Sequence, residues 1–209
     1  MSLRFTTEFR AQQEWAWLLA IWLFLGGSGS GLFLLSQIFP LPPTFATLAL
    51  ALVLFGGVIL LLELGSPLRA WRAFFRIGTS WLSRGVGFVV LFVGCAFLWL
   101  APNFAPFAWL APLSSGIVGK ALPWIAALSA VMIMLYPAFF FRSTSRAIPF
   151  WSGPLLPVLF LSYAVLGAAG LVLLTSLYVT ADLQQIGLVT IVFIPIMLLL
   201  VIAYFQSMS

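Results

Sequence analysis

Residues 15–39 carry no charged side chain, and runs of the same character recur at 44–64, 86–100, 122–141, 155–178 and 186–205, with Glu63 as their single charge. About 20 apolar residues suffice to cross a bilayer as a helix. Because hydrocarbon offers the backbone no hydrogen-bond partner, spans of this kind must be helical. The pattern predicts an all-α integral membrane protein, a bundle of about six transmembrane helices forming one polytopic domain over 1–209. At 64% hydrophobic and 6% charged, the 209-residue composition excludes a soluble globular domain. The first run is too long for a signal peptide and lacks a small-residue cleavage site, so it reads as a retained span behind a polar segment, 1–14.

The charges sort by loop. Arg4 and Arg10 precede the first span, Arg69, Arg72, Arg76 and Arg84 follow the second, and Arg142 and Arg146 follow the fourth. Among the nine basic residues, Lys120 alone falls on the other side. The excess of positive charge in cytoplasmic loops then predicts that both termini and the arginine-rich loop face the cytoplasm of an inner membrane. The formal charge of +5 is too sparse to suggest nucleic-acid binding. Within the arginine-rich loop, Ser66 and Pro67 read as an N-cap and first helical residue. At helical spacing Arg69, Arg72 and Arg76 share one face and Trp71, Phe74 and Phe75 the other, which predicts a short amphipathic interfacial helix between the second and third spans. Gly78 can end it, and Thr79 or Ser80 can cap the next span. The basic face suits anionic headgroups, a soluble partner, or both.

Small residues mark where spans can approach closely: Gly26-Gly27-Ser28-Gly29-Ser30-Gly31 in the first, and Gly167-Ala168-Ala169-Gly170 in the fifth. Trp109 and Trp124 suit an interfacial belt. With no histidine and Cys95 as the lone cysteine, the chain offers no haem ligands, no metal site and no iron–sulfur thiolates. Metal redox chemistry is therefore expected on another subunit.

Three polar-tipped residues toward the cytoplasmic ends of spans are candidates for chemistry. Glu63 is a carboxylate near the end of the second span, open to a salt bridge with Arg69, Arg72 or Arg84, or to proton exchange with a ligand. Trp22 and Tyr136 are either packing residues whose N–H and O–H have found partners, or ligand contacts. Aromatic walls with one acid and one hydroxyl suit a quinone ring.

The segments Glu14 to Gly27, Glu63 to Trp71, Thr79 to Gly85 and Pro149 to Pro157, in this order and spacing, resemble the membrane anchors of the polysulfide reductase (NrfD-like) family. The resemblance covers roughly residues 14 to 170. It implies a quinone-binding anchor without haem, holding an iron–sulfur electron-transfer subunit that serves a molybdenum or tungsten catalytic subunit. The quinone would be menaquinone or ubiquinone. The family's pocket maps onto Trp22, Glu63 and Tyr136; Glu63 is the candidate for proton exchange, and Arg69 is a further candidate contact to the quinone. The iron–sulfur partner would dock on Arg69, Arg72, Arg76, Arg84, Arg142 and Arg146. Two departures are visible: family members commonly have eight spans against six here, and Leu19 and Trp22 stand where some members place Asn and His.

The leading expectation is thus a quinone-reactive subunit of an oxidoreductase complex. The alternatives are a purely structural anchor of such a complex and a small-solute transporter. The halves 1–105 and 106–209 lack the repeat symmetry common in transporters. Since Glu63 is the sole ionisable carboxylate, lysine or histidine within the expected spans, no proton relay across the membrane is expected.

Overall fold

The computed structural model describes residues 17–63, 78, 80–114, 116–144, 153–179 and 183–207, with the side chains of 63, 114 and 144 left aside. Among them lie seven α-helices and no strand: α1 (Trp17–Ile38), α2 (Pro43–Glu63), α3 (Trp81–Leu100), α4 (Ala111–Ser114), α5 (Gly116–Thr144), α6 (Leu156–Thr175) and α7 (Leu183–Gln206). All but α4 are long and apolar enough to cross a membrane, so the chain is a multi-pass helical membrane protein with the six expected spans. The expected interfacial helix falls in 64–77, outside the described residues.

Helix α1 is the hub, touching α2, α5 and α6. Its small residues make this possible. A Cβ on Gly29 would stand 3.0 Å from Val53 and 3.2 Å from the Ala49 carbonyl oxygen of α2, while one on Gly31 would stand 2.6 Å from the Ala164 carbonyl oxygen of α6. Any side chain at Gly167 would collide with Ser28. Since lipid tails are as apolar as leucine, helices associate in a membrane through this close van der Waals fit. Gly170, read as part of the same patch, meets nothing. The core between the helices is largely alanine and aliphatic, with an aromatic cluster where α1 meets α3: the Phe33 ring lies edge-on to Phe92 at 5.1 Å and to Trp99 at 5.9 Å. Exposed side chains such as Phe55 on α2 and Ile191, Leu198 and Leu199 on α7 are apolar, as lipid contact requires.

Two spans start earlier than expected. Helix α3 begins at Trp81 rather than 86, directly after Ser80, whose extended backbone (φ −117°, ψ 127°) occupies the N-cap position without a side-chain cap. Arg84 therefore lies inside the helix. Its guanidinium donates to the Gly78 carbonyl oxygen at 2.7 Å and lies 4.6 Å from the centre of the Trp81 ring, turning the charge back toward the helix end. Helix α5 begins at Gly116 (φ +69°) rather than 122, and so takes in Lys120. Between them, 3-10 turns at Ala101–Asn103 and Ala105–Leu110 replace a loop, each with a proline in its first turn. Trp109 and Trp124, both 72% exposed near this end, occupy positions suited to an interfacial belt.

Candidate functional site

Trp22 stands near the start of α1, and its indole is 1% exposed because glycines clear its place. Gly26, one turn later, lies flat against the ring, where a Cβ would sit 3.1 Å from it; a Cβ on Gly56 of α2 would sit 3.0 Å away on another side. Tyr136, on α5, is 5% exposed, and its ring fills the space above Gly85 of α3. The two aromatic tips meet: Trp22 Nε1–H donates to the Tyr136 hydroxyl oxygen at 2.8 Å. A phenol both accepts and donates. Trp22 uses the acceptor side, and among the described residues no hydrogen bond uses the phenol's own proton.

Beside this pair, α1, α5 and α6 border a narrow, partly open cleft, whose lining includes Trp22, Gly26, Tyr136, Pro137, Phe160 and Tyr163. It lies toward the end of the bundle that carries Arg84 and Arg142, since Trp22 and Phe160 follow closely on the starts of their helices and Tyr136 shortly precedes Arg142. Aromatic and aliphatic walls carrying the phenols of Tyr136 and Tyr163 match in chemistry a flat ring bearing carbonyls, such as a quinone head group.

The remaining expected site residues are placed less closely. Glu63 is the last residue of α2, with its side chain outside the described set. Gly56, which touches Trp22, is seven residues earlier, so the Glu63 backbone stands about 10 Å further along the helix axis. Arg69, Arg72, Arg76 and Arg146 fall outside the described residues, while Arg142 is exposed in the last turn of α5. Arg84 is committed to Gly78 and Trp81, and Trp81 stacks in turn on Phe139 of α5 at 4.8 Å.

Tyr163 is the lining residue that sequence reasoning passed over, although it is another polar-tipped aromatic in a span. Behind it lies Ser28, fully buried, whose Oγ approaches the Tyr163 hydroxyl without closing a hydrogen bond. Ser30 Oγ is likewise buried and without a partner among the described residues. Other span hydroxyls avoid this cost by bonding the carbonyl one turn back, as Ser129 does to Ile125 at 2.8 Å and Thr190 to Ile186 at 2.9 Å.

Fold and site together define a multi-pass helical membrane protein with an aromatic-lined cleft toward one end of the bundle. The chain matches the family described as "Polysulphide reductase, NrfD" over residues 6–208, and it belongs to that family. Members of the family generally serve as membrane subunits of redox complexes that include iron–sulfur and catalytic subunits. Among curated proteins it is similar to "Protein NrfD" of Escherichia coli (strain K12), with 31% identity over 188 residues, 77% of this chain. The chain spans 58% of the length of that relative. No solved structure matches.

Proposed function

We propose that this chain is the quinone-reactive membrane subunit of an oxidoreductase complex, passing electrons between the quinone pool and an iron–sulfur subunit that serves a molybdenum or tungsten catalytic subunit. The observation that carries the reading is the Trp22–Tyr136 pair beside an aromatic cleft, with the Tyr136 proton unspent. A bound menaquinone or ubiquinone supplies a two-electron, two-proton couple. In this reading Trp22 holds the Tyr136 oxygen in place, the Tyr136 O–H donates to a ring oxygen, and the apolar walls exclude water. Glu63 exchanges protons between the cleft and the surface, and Arg69 is a further contact to the ligand. The arginine-rich face, including Arg69, Arg72, Arg76, Arg84, Arg142 and Arg146, docks the iron–sulfur subunit. Eight of nine basic residues fall on that side, which supports a cytoplasmic location for it and for both termini in an inner membrane.

One observation favours a second reading. Trp22 spends its N–H on the Tyr136 oxygen, so the pair could serve assembly alone and leave the chain a structural anchor. Equilibrium binding of a short-chain naphthoquinone and a short-chain ubiquinone to the purified membrane complex separates the two. Saturable binding of either, weakened in Tyr136→Phe with the complex intact, supports the quinone site. Absence of saturable binding, or binding indifferent to Tyr136→Phe, leaves the anchor reading.

A further inference from the structure

Pro137 stands inside α5, directly after Tyr136. Proline has no N–H, so it cannot give the hydrogen bond that residue 137 of a regular helix would donate to the carbonyl of Ile133, and its ring crowds that carbonyl outward. Residues four apart share a helix face. Here that face is the cleft, since Ile133, Tyr136 and Pro137 all line it. In a membrane interior no bulk water replaces the missing donor, and a carbonyl deprived of its intrahelical partner is a strong acceptor awaiting one.

We infer that the Ile133 main-chain carbonyl is the acceptor by which the cleft recognises the reduced, hydroxyl-bearing form of its ring ligand, an inference that rests on the quinone reading above. The chemistry is asymmetric. The Tyr136 O–H serves either redox form, because carbonyl and hydroxyl oxygens both accept. The Ile133 carbonyl serves only the form with a hydroxyl proton to give. Pro137 thus biases the cleft toward the quinol without touching the phenol.

The test replaces Pro137 by Ala, which restores the N–H and engages the Ile133 carbonyl within the helix. Pro123→Ala makes the same change in the same helix away from the cleft lining. Binding of a short-chain naphthoquinone and of its quinol is measured separately on the purified complex. A lost neutral hydrogen bond corresponds to about a 2- to 10-fold change. Pro137→Ala should weaken quinol binding by that factor, leave quinone binding within about twofold and lower the midpoint potential of the bound couple, while Pro123→Ala does none of these. Equal weakening of both forms, or of neither, overturns the inference and leaves the quinone site standing. Failure of the wild-type complex to bind either form removes both. An infrared measurement on wild-type complex guards against a misfolded variant. With isoleucine carbonyls labelled with carbon-13, quinol should shift one labelled amide band to lower frequency. That shift should vanish in Ile133→Val, where the carbonyl carries no label. An unshifted band in the wild type overturns the inference.

Discussion

Gly85 of α3 and the Tyr136 ring of α5 are in direct face-to-backbone contact: a Cβ on Gly85 would come within 2.5 Å of Cε2 and 2.7 Å of Cδ2 of the tyrosine. The glycine is what lets α3 and α5 close with a buried phenol between them, and the position of that phenol sets both the Trp22 bond and the wall of the cleft. Gly85→Ala should therefore push the ring toward the cleft. Overpacking of this kind costs about 1–3 kcal/mol. A lowered unfolding temperature in detergent, with weakened naphthoquinone binding, is the expected pair of results; unchanged binding would place the cleft elsewhere.

The Trp22–Tyr136 hydrogen bond can be measured directly. Trp22→Phe removes the donor, Tyr136→Phe removes the acceptor, and the double variant closes a cycle. A coupling of about 0.5–1.5 kcal/mol is expected from unfolding of the purified protein, the net worth of a buried neutral bond. A coupling near zero would mean that the two tips are held by packing alone.

Glu63→Gln keeps shape and removes proton exchange. Quinone turnover by the assembled complex should slow by roughly the 10²–10⁴-fold typical of general acid–base groups, with subunit composition unchanged. Normal turnover would make Glu63 a structural residue. Loss of assembly would point to an arginine left without its ion-pair partner.

Reversing Arg72 and Arg76 to Glu should release the iron–sulfur and catalytic subunits from membranes, measured by their distribution between pellet and supernatant. If the subunits stay bound while association with anionic lipid weakens, these arginines are headgroup anchors and the docking assignment falls.

How much was legible in advance follows from the range of each interaction. The membrane class and the number of spans depend on a local property, because each crossing must supply its own apolar run of about 20 residues whatever its neighbours do. Trp22 and Tyr136 were recognisable singly, as polar tips in apolar runs. Their meeting was not, since they are 114 residues apart and join only because Gly26 clears Trp22's own helix while Gly56 and Gly85 let α2 and α3 close around the rings. Nothing in a span's hydropathy says which face will turn inward. The start of α3 escaped for a related reason: Arg84 reads as loop until its guanidinium is seen folded back on Gly78 and Trp81. Tyr163 and Ile133 gained meaning from the cleft, which exists between α1, α5 and α6 and in none of them alone. Composition and periodicity select a class of molecule through the solvent each segment can tolerate, whereas the site arises from side-chain shapes meeting across helices, an outcome set by the non-local fit of small residues against large ones.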